Sequence, residues 1–197
     1  MIAAVEGNIH IIKLFRELMA ETLSEFFNFQ NDSGNSALHY CVWNGHEDCC
    51  KYLVEECGAD YMLKNKDGMT PIQFAAAANH ANLVDYLSSF GAETITSMSA
   101  TGLNNLHRAC MHGALDTVIS LVSKQKMNPS IAALRTGNSP LHLAAKGGYN
   151  GIVRFLLAQP ETDKDAQNKH GLTPLHFACN GSVPVVAVVS NWKRLVI

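Results

Sequence analysis

The 197-residue chain has no apolar run near the roughly 20 residues that a bilayer-spanning helix requires. Its N-terminus, MIAAVEGNIHIIKLFRELMAE, lacks a basic region followed by a small-residue cleavage site, so neither secretion nor membrane insertion is expected. Nucleotide motifs are absent too: no G-x-x-x-x-G-K-S/T occurs, and Lys146-Gly147-Gly148 lies between helical patterns and not after a strand. No G-x-S-x-G elbow is present, so no enzyme activity and no cofactor is expected. The 6 cysteines are dilute in a chain large enough to fold without staples, which fits a reducing intracellular setting, cytoplasmic or nuclear. A formal net charge of -2 offers no general basic field, so nucleic acid is not an expected partner.

What is present is enough apolar residue, 47%, to build a core. The small net charge hides an asymmetry. Residues 1–99 carry 5 Lys/Arg against 13 Asp/Glu, which is -8, and residues 100–197 carry 10 against 4, which is +6.

A fixed period organises the chain. Gly34, Gly68, Gly102, Gly137 and Gly171 are spaced by 34, 34, 35 and 34 residues, and each precedes a helix-start signature. The segments that follow are SALHYCVWNGHEDCCKYL, TPIQFAAAANHANLVDYL, NNLHRACMHGALDTVISL, SPLHLAAKGGYNGIVRFL and TPLHFACNGSV. An incomplete earlier copy is visible in Ala3-Ala4-Val5-Glu6-Gly7 and Ile11-Ile12-Lys13-Leu14-Phe15. This pattern resembles the ankyrin repeat, and the resemblance covers nearly the whole chain.

The residues lead to the same architecture without the family. Thr70, Ser139 and Thr173 can cap a helix start, and Pro71, Pro140 and Pro174 stand where a missing N–H is harmless. Pairs such as Ala75-Ala76, Ala144-Ala145 and Ala109-Cys110 keep the first helix thin enough for close stacking. Gly45, Gly113 and Gly148 suit a left-handed end to that helix, and Leu53, Val84, Leu87, Val118, Leu121, Val153 and Leu156 give the second helix an apolar face. One such pair cannot bury its apolar surface alone, so the expected fold is all-α, a solenoid of about six helix-turn-helix units with hairpin-like turns. The repeats are expected at 31–65, 66–99, 100–134 and 135–168, with a partial one at 1–30 and a truncated, irregular one with a tail at 169–197.

Both ends depart from the pattern. The chain begins inside a repeat, so its front face is expected to be uncapped, and the segment Glu21–Phe27 carries about four extra residues, read as a longer second helix or loop. At the other end Pro184 falls where a second helix would form, at a cost of roughly 3 kcal/mol. The β-branched run Val185–Val189 resembles a strand or an improvised cap.

His39, His107, His142 and His176 share one repeat position, with Gln73 in the third copy. Four equivalent copies suit structure better than catalysis, and the ankyrin resemblance implies that each bonds to backbone near the next helix start. A zinc reading of Cys49, Cys50 and His46, or of Cys110 and His112, lacks paired CxxC or HxxxH spacing. Cys110 aligns with alanines and Cys49 and Cys50 with Ile152 and Val153, so these thiols are expected to fill core, leaving Cys57 as the expected exposed thiol.

The resemblance implies binding of another protein or peptide segment along the concave side, through turn tips and exposed first-helix positions. By register these are Trp43, Met69, Leu103, Met111, His112, Arg135 and Lys146. Trp43 is read either as an interface anchor or as packing against the next repeat. The alternative function is a regulatory or targeting segment of a larger enzyme or channel, and the chain is expected to be part of a longer protein.

Overall fold

Each period bends twice, and at most of these bends a glycine takes the left-handed conformation. At the turn tip Gly34 has φ 77°, and a Cβ there would stand 2.6 Å from the backbone nitrogen of Lys66 in the next turn. At the end of the first helix Gly45 has φ 76°, and a Cβ would stand 2.5 Å from the His80 ring. Asn79 takes the same left-handed conformation, φ 63°, in the third copy, as a short polar side chain allows.

A computed structural model describes residues 1–18 and 23–179, and among the described residues every regular element is helical. The chain divides into two compact units, Met1–Ala100 and Thr101–Ile197. The first holds α1 (Ile2–Val5), α2 (Ile9–Leu18), α3 (Leu23–Phe27), α4 (Ala37–Trp43), α5 (Glu47–Glu55), α6 (Pro71–Ala77), α7 (Ala81–Ser88) and α8 (Ala92–Thr96). The second holds α9 (Asn105–His112), α10 (Leu115–Ser123), α11 (Pro140–Gly147), α12 (Asn150–Leu157) and α13 (Pro174–Cys179). Of the irregular segments expected from sequence, Leu23–Phe27 is the short helix α3. Glu21, Thr22 and the tail with Pro184 lie outside the described residues.

Within the first unit α1 packs on α4, α4 on α6, and α2 on α5; within the second α9 packs on α11, α11 on α13, and α10 on α12. First helices therefore stack on first helices and second on second. Small residues permit this: Cys41, Ala75, Ala76, Ala109, Cys110, Ala144 and Ala145 are fully buried. Leu38, Leu53, Ile72, Leu83 and Leu87 fill one unit, and Leu106, Leu121, Leu141, Ile152 and Leu156 the other.

The shared histidine position joins successive repeats. The Ser36 backbone N–H donates to His39 Nδ1 at 3.1 Å, so the ring proton sits on Nε2, which donates to the Met69 carbonyl at 3.1 Å. His142 repeats this between the Ser139 N–H (3.1 Å) and the Leu172 carbonyl (2.9 Å). His107 Nε2 lies 3.1 Å from both the Ile131 and Asn138 carbonyls. Gln73 takes this place with an amide: Oε1 accepts from the Thr70 N–H at 3.4 Å, and Nε2 donates to the Ser97 carbonyl of the same repeat at 3.1 Å. His39, His107 and His142 therefore have the structural role implied for them, and His176 accepts from the Thr173 N–H at 3.1 Å at its own helix start.

Turn tips are stitched separately. Lys66 N–H donates to the Ser33 carbonyl (3.1 Å) and Ala100 to Asp67 (2.8 Å), and in the second unit Lys169 donates to Thr136 (3.0 Å). Asn65 Oδ1 accepts from the N–H groups of Asp67 and Met69 at 3.0 and 2.9 Å, while its amide donates to Asn35 Oδ1 at 2.9 Å. Asn168 does the same for His170, Leu172 and Asn138.

Two outcomes follow from this packing. Replacing the fully buried Leu141 with Ala should cost about 2 to 5 kcal/mol in chemical denaturation, because its neighbours cannot close the cavity. The second concerns pH. Burial lowers the His39, His107 and His142 pKa values below the ordinary 6.5, His107 to about 4, with their backbone hydrogen bonds acting in the opposite direction. The unfolded chain takes up a proton near pH 6.5 that folded His107 refuses until about pH 4, so stability is full above this window and falls as pH drops through it. His107→Gln, which copies the residue that Gln73 supplies at the same position, should remove about 1.4 kcal/mol per pH unit from that slope at its steepest. Denaturation curves from about pH 7.5 to about pH 4.5 read this out, and an unchanged slope would mean the ring does not titrate with folding.

Candidate partner-binding surface

Two residues before the left-handed joint, the side chain of each first helix leaves the stack. That register holds Trp43 and Ala77 in the first unit and Met111 and Lys146 in the second. Trp43 is 45% exposed, and its ring meets Phe74 of the next repeat edge-on, with centroids 5.9 Å apart. One edge of the ring therefore packs against the next repeat, while much of it meets solvent. Phe74 is itself held by an edge contact with His39 at 5.1 Å, so the interrepeat joint is the base on which Trp43 rests. The Trp43 carbonyl accepts from His80 Nε2 at 3.0 Å, which fixes its backbone without using the indole.

Met69, at the neighbouring turn tip, is half-buried, and its backbone N–H and carbonyl are both committed, to Asn65 and His39. Only its side chain is available to a ligand.

In the second unit Leu103 and Met111 are half-buried, while His112, Arg135 and Lys146 are exposed. Met111 and Lys146 share a register on α9 and α11, which pack together. Lys146 also borders a hollow of about 630 Å³ lined by Leu172, Leu175, His176, Phe177 and Cys179. Arg135 stands one residue beyond Leu134, an apolar turn-tip residue 61% exposed. Desolvation, then the charge of Arg108, lowers the His112 pKa below 6.5, so this imidazole is neutral at pH 7. The positive character of this surface therefore rests on Arg135, Lys146 and Lys169, whose ammonium also reaches the Leu134 carbonyl at 2.6 Å.

Sequence reasoning passed over Phe74 and Phe177. Each follows the T-P-x-H/Q position directly, a place with no scaffold requirement, and Phe177 meets the His142 ring edge-on at 5.2 Å just as Phe74 meets His39. An aromatic there was the available signal. The rings of His46, His80 and Tyr149, which cover Gly7, Gly45 and Gly113 of the preceding repeats, were also missed.

One cysteine expectation is corrected. Cys57 is buried, only 2% exposed, and burial raises its pKa to about 11, whereas Cys179 is the exposed thiol among the described residues. The residues after Glu55 fold back on the unit, with the Cys57 N–H donating to the Tyr52 carbonyl at 3.2 Å, so a position read as open loop is core. Cys41 and Cys50 face each other inside the first unit with sulfurs 3.0 Å apart, and the hydrogen bond to Cys50 together with burial pushes the Cys41 pKa far up. His46 Nε2 is taken by the Val5 carbonyl at 2.8 Å. These are packing contacts, and among the described residues no three His, Cys, Asp or Glu side chains converge as metal ligands.

Among the described residues no helix is long and apolar enough to cross a membrane. A family model described as ankyrin repeats in three copies matches residues 1–65, 57–132 and 106–191. The chain is similar to the ankyrin repeat protein nuc-2 of Neurospora crassa, with 31% identity over 186 residues, 92% of this chain and 16% of that protein. It is also 31% identical over 168 residues to tyrosine-protein kinase HTK16 of Hydra vulgaris, 82% of this chain and 21% of the kinase. With a transient receptor potential cation channel subfamily A member 1 homolog of Caenorhabditis elegans it shares 31% over 116 residues, 59% of this chain and 9% of the channel. The chain spans no more than 21% of the length of these relatives. By its repeat period, its helix pairs and this match, the chain belongs to the ankyrin-repeat family.

Proposed function

We propose that the chain binds a partner protein or peptide through its exposed first-helix and turn-tip side chains. Ankyrin repeats are in general protein-protein interaction modules, and the observation that carries the reading here is Trp43. Its indole is 45% exposed, rests on a braced Phe74 and has no hydrogen-bonding duty in the joint. Exposed tryptophan on a rigid base is the type of residue that dominates interface energetics. Trp43 and Met69 offer an apolar contact in the first unit. In the second, Lys146 beside Leu172 and Phe177, with Arg135 and Leu134 at a turn tip, suits an apolar segment bearing an acidic group. Leu103, Met111 and neutral His112 complete that unit's contribution.

A second reading, a regulatory or targeting segment within a larger enzyme or channel, is favoured by the similarity to a kinase and a channel, each much longer than this chain. It differs from the first only in whether the bound partner belongs to the same polypeptide.

Pull-down from cell extract with wild type and Trp43→Ala tests the reading, and the recovered partner permits kinetic measurement. Trp43→Ala should weaken binding by roughly 2 kcal/mol or more, mainly through faster dissociation, with a melting temperature close to wild type. Binding that is indifferent to this change would move the partner to another face.

Charge reversal at Arg135 and Lys146 should instead slow association and flatten its dependence on salt, since exposed charges act mainly on encounter. Association rates at two salt concentrations check this, and rates equal to wild type at both would remove these residues from the site.

A further inference from the structure

Cys41 on α4 and Cys50 on α5 hold two repeat positions that the three copies after them fill with alanine and valine: Ala75 and Val84, Ala109 and Val118, Ala144 and Val153, all fully buried. A cysteine can replace one small apolar residue alone, as Cys110 does where Ala76 and Ala145 stand. Here both positions change together, and the two cysteines are buried as completely as the residues they replace. Their sulfurs lie 3.0 Å apart, about 1 Å more than an S–S bond. The Cys50 S–H donates to the Cys41 sulfur, whose own proton goes to the His46 carbonyl at 3.3 Å. Since α4 and α5 already pack on each other, closing the bond asks for a shift of the sulfurs and not of a helix.

We infer that Cys41 and Cys50 form a disulfide site, oxidised by a low-molecular-weight disulfide, within the repeat that carries Trp43. One cysteine thiolate attacks a sulfur of the oxidant RSSR and expels RS⁻, leaving a mixed disulfide. The second cysteine sulfur attacks the first, expels the other RS⁻ and closes the bond between the two Sγ atoms. Two electrons pass from the cysteine pair to the oxidant, and the two thiol protons end on the two expelled thiolates. The hydrogen bond from Cys50, together with burial, pushes the Cys41 pKa far up, so the folded pair is slow to react and exchange runs through opening of α5 or during folding. Once formed, the bond ties α5 to the helix that ends at Trp43. Cys49, which also bonds to Cys41, is the competing thiol.

The test refolds the full chain from denaturant into a buffer of oxidised and reduced glutathione, so that access to the buried thiols is not limiting. Cleavage between Glu47 and Asp48 separates Cys41 from Cys49 and Cys50, and mass spectrometry of the unreduced fragments reads the pairing. Cys41 should be joined across this cut at least about tenfold more often than any other cysteine pair forms. The melting temperature should rise by about 3 °C or more and fall back on addition of dithiothreitol. Cys49→Ile, the residue at this position in α12, should keep both effects. Cys41→Ala and Cys50→Val, which copy the other repeats, should fold and lose both. A refolded chain whose Cys41 thiol stays free overturns the inference. So does a bridge that survives Cys50→Val and is lost in Cys49→Ile, because Cys49 would then be the partner. A bridged chain that melts below the reduced one overturns it as well, since the pair would then fit the core only as thiols.

Discussion

Stacking in this protein depends on one side chain per repeat, three residues into the first helix, that closes its own helix start and reaches across to the next turn. His39, His107 and His142 do both, and Gln73 holds the same place with its amide on the Ser97 carbonyl of its own repeat. The ring or amide is fully buried, and a buried polar group left without a partner costs about 1 to 3 kcal/mol, so each joint is favourable only when both ends are matched. Matching requires a turn carbonyl at a fixed height above the helix start. That height is set by the asparagine-stitched turns and by the close approach of Gly34 to Lys66. The side chain that selects the neighbour's position is thus served by a turn that could not hold its shape with larger residues.

A consequence is a division of labour along each first helix. The side facing the stack is small and invariant in type, with Cys41, Ala75, Ala109 and Ala144 at equivalent depth. The positions two residues before the joint face away from it and carry Trp43, Ala77, Met111 and Lys146, which share no size, charge or polarity. The polar joint is made without their side chains. Selection can therefore set their chemistry without disturbing stability, which is why one scaffold supports many ligands. The opposite charge of the two halves, -8 and +6, belongs to the same freedom, since no joint depends on the net charge of either half.

How far the sequence was legible follows from the same division. The scaffold was readable because its demands recur every 34 residues or so: a glycine at the turn, a cap, a histidine, small residues, a second glycine. Repetition turned weak local signals into a strong one, and it pointed to the backbone role of the histidines through the family. Cys57 was misjudged because its burial depends on how the chain folds back after α5, at Glu56–Ala59, where the repeat pattern dictates little. The ring pads His46, His80 and Tyr149 escaped notice because they differ in kind and act on a glycine about 35 to 39 residues earlier. Candidate site residues could be located by register, but register says only that a side chain leaves the stack. That Trp43 leans on Phe74 arises from a contact between repeats that no single period contains.

Two of the candidate residues share one further property, and it bears on how a ligand would be held. At Trp43 and Met69 the backbone is bonded within the stack while the side chain is largely left over. The Trp43 carbonyl is bonded to His80, the Met69 N–H and carbonyl to Asn65 and His39, and Leu172, beside Lys146, has its carbonyl on His142. Much of the entropic cost of ordering a binding loop is therefore met on folding, and a ligand has only rotamers left to fix. Trp43 carries this furthest, because an indole has two side-chain torsions and one edge of this ring already rests on Phe74. Lys146 has a long flexible stem and no comparable support, so ordering its ammonium offsets much of what a single contact gains. Under the proposed function the two units would serve different parts of recognition, a pre-set apolar contact acting on how long a complex lasts and mobile charges acting on how often it forms.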